Sequence, residues 1–169
     1  MGESMFIYKV VMVGDFGVGK TSLVQRFVDN SFSEEYLSSI GVSISKKLLH
    51  TKIDSTAMLW DIEGRTEQKS IFKQYLLGAK AFIIVADLTC ESSIRALPNH
   101  IKLCLSSSKD APICIALNKN DLETNIKISI ESLRKLSDNI INIYKTSAKS
   151  GEAVEDIFNE INEVLISRL

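Results

Sequence analysis

Eight consecutive residues, Gly14-Asp15-Phe16-Gly17-Val18-Gly19-Lys20-Thr21, carry the pattern G-x-x-x-x-G-K-[ST]. The chemistry of that pattern is the capture of phosphate. Its glycines let the backbone turn tightly and aim successive N–H groups inward at an anion. Lys20 can reach the outer phosphates of a nucleotide, and the Thr21 hydroxyl can ligate Mg²⁺. A strand-like run, Phe6 to Val13, leads in, and a helix-like run from Thr21 to about Val28 leads out. That helix adds the positive end of its dipole to the same site.

Three later clusters extend this chemistry. In Trp60-Asp61-Ile62-Glu63-Gly64, an aspartate closes a buried run. Downstream of a phosphate loop such an aspartate usually holds Mg²⁺ through water, opposite the loop hydroxyl. The Gly64 N–H would be free to donate to a terminal phosphate. D-x-x-G on its own would read as a plain turn, so its weight comes from the loop before it. Asn118-Lys119-Asn120-Asp121 suits guanine. The Asp121 carboxylate can accept from both the ring N–H and the exocyclic amine. Adenine offers no such donor pair, and an unpaired buried polar group rejects the wrong ligand strongly. Asn118 would tie loops together while the Lys119 stem lies along the base. Ser147-Ala148-Lys149 then offers a backbone N–H to the guanine oxygen. A phosphate-loop kinase or ATPase is disfavoured by this guanine selectivity.

These clusters need elements to position them. Strand candidates are Phe6–Val13, Val42–Leu49, Ala57–Trp60, Ala81–Ala86, Ile113–Leu117 and Ile140–Tyr144. The continuous apolar runs around Ile83 and Cys114 predict strands buried on both faces. The second and third candidates lie close together around His50-Thr51-Lys52, which predicts one antiparallel pair at the sheet's edge. Helices are expected over about 91–105, with Pro98 disturbing it, and over 129–138. A clearer helix follows Gly151, with Val154, Ile157, Phe158, Ile161, Val164 and Leu165 at helical spacing. Strand–helix alternation implies an α/β fold, a mostly parallel six-stranded sheet with helices on both faces. Ligands of such sheets bind over the carboxyl ends of the strands, where every cluster above falls.

Composition fits this reading. The 169 residues suit a single domain, 1–169. Lys plus Arg number 20 against 21 acidic residues, a net charge of −1 that suggests neither nucleic acid nor an anionic membrane as a general partner. Cys90, Cys104 and Cys114 lack metal-ligand spacing, so reduced structural cysteines in an intracellular protein are expected. No apolar run approaches a membrane span, and Met1-Gly2-Glu3-Ser4 resembles no secretory signal. The expected location is cytoplasmic, or peripheral to membranes through partners or a missing tail. A monomer is the default.

From the first strand to the last helix the chain resembles the Ras superfamily of small GTPases. It looks most like the Rab branch, through Ile40-Gly41-Val42, Leu59-Trp60-Asp61 and Tyr75-Leu76-Leu77-Gly78-Ala79. The resemblance implies a P-loop NTPase G domain of six strands and five helices, with Mg²⁺-dependent binding of GTP and GDP. By the same resemblance the loop residues through Ser22 contact nucleotide, Phe32 stacks on the guanine, and Tyr36 folds over the phosphates. A core aromatic is the other reading of Phe32. Ser39 stands where the family has a threonine and keeps the hydroxyl for Mg²⁺ and the N–H for the γ-phosphate. Two switch segments, about 32–42 and 61–75, would meet effectors, an exchange factor and a GTPase-activating protein. Ile40, Val42, Trp60, Ile71, Phe72 and Tyr75 are the residues expected to touch partners, unless they are core.

Departures from the family gather at the γ-phosphate. Arg65 replaces the glutamine that orients the attacking water. Arginine has five donors and no acceptor, so it cannot take a proton from that water. It could instead neutralise phosphate charge, joining Lys20 and Gly64 as a catalytic candidate. Phe16 occupies a position where Rab proteins often carry a small residue, and its ring could crowd the water. Glu63 places a carboxylate near an anionic ligand. Arg65 and Glu63 could equally face solvent, and Gln68 could substitute for the lost glutamine. Slow hydrolysis is therefore expected, with a hydrolysis-impaired binding module as the alternative. The chain stops at Ser167-Arg168-Leu169 without a C-terminal cysteine for a prenyl group. Either the tail has been removed or the protein works without a lipid. Phe6 stands where a myristoylation signal needs Ser or Thr.

Overall fold

The structure is a computed structural model that describes residues 5–30, 32, 41–63 and 72–169. Tyr36, Ser39, Ile40, Gly64, Arg65, Gln68, Ile71 and the start at Met1-Gly2 lie outside the described residues.

Six strands form one sheet: β1 (Phe6–Val13), β2 (Val42–Leu49), β3 (Ser55–Ile62), β4 (Ala81–Asp87), β5 (Ile113–Asn118) and β6 (Ile140–Lys145). Their order is β2-β3-β1-β4-β5-β6. Among the described residues only the β2–β3 pairing is antiparallel. Its register runs from Val42 opposite Ile62 to Leu49 opposite Ser55, and it places β2 at the edge as expected. All residues of β4 and β5 are buried, the signature of central strands covered on both faces.

Alternation along the strands builds two cores. Tyr8, Val10 and Met12 of β1 face one layer, with Leu23 and Phe27 of α1 (Lys20–Asp29) and Ile157, Phe158 and Ile161 of α6 (Val154–Ser167). Val11 and Val13 face the other. There they meet Phe72 and Leu76 of α2 (Phe72–Leu76), Leu97 and Ile101 of α4 (Leu97–Ser107) and Leu133 of α5 (Ile130–Arg134). The Phe27 and Phe158 rings stack at 4.2 Å and lock α1 to α6.

Two helix expectations need correction. The segment expected over 91–105 divides at Ala96 into α3 (Glu91–Arg95) and α4. Pro98 falls in the first turn of α4, where a missing N–H breaks no intrahelical bond. Proline thus starts a helix here rather than weakening one. The expected 129–138 helix is only α5, begun by Ser129, whose hydroxyl accepts from the Ser132 N–H at 3.2 Å, and followed by a turn at Leu136. Counting α3 and α4 as one broken helix leaves the five helical units that the resemblance implied, among the described residues. None of these helices is long and apolar enough to cross a membrane.

Candidate nucleotide site

The carboxyl ends of β1, β3, β4, β5 and β6 open onto one edge of the sheet, and the sequence motifs gather there. The loop after β1 depends on two glycines. Gly14 has φ +154, and a Cβ there would stand 2.4 Å from the Val85 carbonyl oxygen of β4. Gly19 has φ +103, and a Cβ would stand 2.3 Å from Asn118 Nδ2. Both positions therefore require the absence of a side chain. Inside the turn, the buried Lys20 ammonium donates to the carbonyls of Gly14 (2.6 Å) and Asp15 (2.9 Å). Phe16 is 41% exposed on the loop's outer surface.

Thr21 and Asp61 meet across this loop, the hydroxyl donating to Asp61 Oδ2 at 2.5 Å. Asp61 is buried on β3 between Met12 and Ser43. Burial pushes its carboxyl above the ordinary carboxylate range, against the opposing pull of the Thr21 hydroxyl and the Lys20 charge. A hydroxyl and a carboxylate held together are hard oxygen donors of the kind Mg²⁺ takes beside phosphates and water. Their closeness and the cost of burying that carboxylate both fit such an ion.

The residues expected to hold the base are tied to the phosphate loop. Asn118 Nδ2 donates to the Val18 carbonyl at 3.0 Å, while its Oδ1 accepts from Thr146 Oγ1 (3.1 Å) and the Ala148 N–H (3.3 Å). One buried amide at the end of β5 thus joins the phosphate loop to the loop after β6. Lys119 adopts φ +67, a left-handed conformation that costs a non-glycine residue about 1–2 kcal/mol. This turn sends its ammonium to the Gly17 carbonyl at 2.9 Å and to Asp87 Oδ2 at 2.8 Å. Asp121 is exposed, and its Oδ1 accepts from Ser147 Oγ at 2.8 Å. Arg26 of α1 fixes the last loop, donating to the carbonyls of Ala148 (2.7 Å) and Lys149 (2.6 Å). Ser22 is half-buried in the first turn of α1.

Three residues named from the sequence, Phe32, Glu63 and Phe72, have neighbours within the described fold. Phe32 is half-buried and packs against the core shared by α1 and α6. The Glu63 carboxylate accepts from the Gly41 N–H at 3.2 Å, and the Glu63 N–H donates to the Gly41 carbonyl at 2.9 Å. It therefore extends the β2–β3 ladder instead of facing open solvent. Phe72, expected to touch partners, is 1% exposed and belongs to the core.

Arg26, Asp87, His100, Thr146 and Glu152 belong to this network and were not singled out from sequence. Asp87 ends a buried strand as Asp61 does, and the same pattern could have found it. Asn120 Nδ2 contacts both Glu152 carboxylate oxygens at 3.0–3.1 Å, but Glu152 reads as an ordinary surface acid. Arg26 gives no signal beyond helical position. His100, on α4, places Nε2 2.8 Å from Asp15 Oδ1. It sits among the apolar residues of a core face, which conceals it.

Known proteins are similar to this chain along nearly its whole length. A profile of the Ras family matches residues 9–167. Ras-related protein Rab-1 of Theileria parva is 32% identical, over 98% of this chain and 77% of its own length. Ras-related protein Rab-13 of Canis lupus familiaris is 32% identical, over 92% and 78% respectively. For Ras-related protein Rab-30 of Homo sapiens the identity is 32%, over 99% and 84%. The phosphate loop, the sheet order and these relatives converge: the chain belongs to the Ras family of small GTPases, and its relatives are Rab proteins.

Proposed function

We propose that residues 1–169 form one G domain that holds GTP or GDP with Mg²⁺ and hydrolyses GTP slowly. The observation that carries this reading is the Asn118 amide, bonded at once to the phosphate loop and to the loop that would meet guanine. Both ends of one nucleotide would then be gripped by a single rigid unit. Asp15 to Ser22 would surround the phosphates, with Lys20 leaving its carbonyls for phosphate oxygens. Thr21, Ser39 and Asp61 would serve Mg²⁺. Asp121, Lys119, Ser147, Ala148 and Lys149 would meet the base, with Phe32 and Tyr36 closing over the nucleotide.

Slow turnover follows from Arg65, which has no acceptor for the attacking water. Hydrolysis is slow even with glutamine present, on the order of 10⁻⁴ s⁻¹ for Ras. The exposed Phe16 ring favours a second reading, a binding module that keeps GTP intact. Partners would meet the surface where β2, β3 and α2 adjoin. There Ile44 is 47% exposed, and half-buried Trp60 and Tyr75 lie 6.5 Å apart by ring centroid. Its check is binding that follows the identity of the bound nucleotide.

Chromatography of nucleotide released from the purified protein tests the core claim. Bound GDP or GTP is expected, displaced by added guanine but not adenine nucleotides, and empty protein that takes up neither would overturn it. A single-turnover assay with Mg²⁺ then separates the two readings. Arg65→Gln is expected to raise the rate at preserved affinity. No rise removes Arg65 as the limiting feature, and GTP that persists for hours assigns the binding module.

A further inference from the structure

His100 is 6% exposed, on the same inward face of α4 as Leu97, Ile101 and Cys104. A polar ring in that position needs a partner, because an unsatisfied buried donor costs about 1–3 kcal/mol. It reaches Asp15, the first variable residue of the phosphate loop, at 2.8 Å and 85 positions away in sequence. An ionised carboxylate only accepts, so Nε2 carries the proton in this bond. The base of the ring sits on a buried helix face. Leu97 and Cys104, on either side of it along the helix, are wholly buried in the second core. Asp15 is thus divided between two partners. Its carbonyl accepts from the Lys20 ammonium inside the loop, while its side chain is drawn to α4.

The consequence is electrostatic. A carboxylate on a loop that receives a polyanion would repel it, and at a few ångströms that repulsion is appreciable even for a side chain 38% exposed near the protein surface. We propose that His100 is a positioning residue for nucleotide binding, holding the Asp15 carboxylate on α4 and away from the phosphates. This rests on the nucleotide reading above and adds to it a residue remote in sequence from every binding motif. Without the imidazole donor, the carboxylate is free to swing toward the ligand, and nucleotide release accelerates. Without the carboxylate, the imidazole is no longer needed.

Release of a fluorescent GDP analogue, chased with excess GDP and Mg²⁺, tests this in the full chain. His100→Phe keeps the ring's bulk and removes the donor, and His100→Leu matches the apolar neighbours where a phenyl ring does not fit. Either is expected to speed release about tenfold, the scale of a lost hydrogen bond to a charged group. His100→Gln, which keeps an N–H donor of similar reach, is expected to stay within about threefold of the parent. Adding Asp15→Asn to the fast variant is expected to restore slow release, which a purely structural role for His100 would not produce. Thermal unfolding of each variant separates folding from release. The proposal is overturned if the donor-less variants release GDP at the parental rate, or if the double variant stays fast. A parent chain that takes up no guanine nucleotide overturns the nucleotide reading and this inference together. Normal uptake with unchanged release in the variants overturns this inference alone.

Discussion

Most polar side chains at this site grip neighbouring loops, and Asp87 shows the cost of losing one such grip. Burial opposes its ionisation, yet the Lys119 ammonium and the Thr89 hydroxyl and N–H together hold its carboxyl below the ordinary range. A carboxyl depressed by folding contributes stability above its unfolded pKa of about 3.9 and loses it as acid protonates the folded form. Asp87→Asn is therefore expected to lower stability by about 1–2 kcal/mol at pH 7, with the difference fading below about pH 4. Urea midpoints across pH check this, and a gap that persists in acid would assign the loss to packing. The motif residues Lys20, Thr21, Asp61, Asn118 and Asp121 could be read directly from sequence, because their chemistry dictates residue type and spacing. Arg26, His100 and Glu152 could not. Each acts through a partner distant in the chain, and only the fold creates that proximity.

Strands were read more faithfully than helices for a physical reason. Burial on both faces gives β4 and β5 uninterrupted apolar runs whose limits are sharp. The break at Ala96 is signalled locally by Pro98 alone, and a proline does not by itself say whether a helix is disturbed or begins anew. The link between Glu63 and Gly41 belongs to this level, since it joins the entry to β2 with the exit from β3. Here a side chain supplements a backbone bond at the root of both segments expected to switch. Glu63→Ala removes the acceptor of the Gly41 N–H while leaving the backbone bond in place. Hydrogen exchange at the Gly41 amide is expected to quicken by about tenfold, the scale of one hydrogen bond, with the global unfolding midpoint nearly unchanged. Unchanged exchange at Gly41 would show that the carboxylate holds nothing there.

Across the fold, α1 carries two duties at once: its first turn presents Lys20 and Thr21, and its middle fills the core. Phe27 is 1% exposed against Phe158. Phe27→Ala is expected to cost about 3–5 kcal/mol in denaturant unfolding, a large share of a typical domain's stability. Saturating GDP should recover part of that loss, because a ligand bound only by the folded chain stabilises it by mass action. Absence of that recovery would mean that α1 no longer presents its first turn. The Asn118 amide bridges a loop made early in the sequence to one made late. During synthesis, at roughly 5–20 residues per second, the phosphate cradle leaves the ribosome many seconds before Ala148 does. The nascent protein thus holds half a grip until β6 docks, and cellular GTP can reward only a chain translated past Ala148.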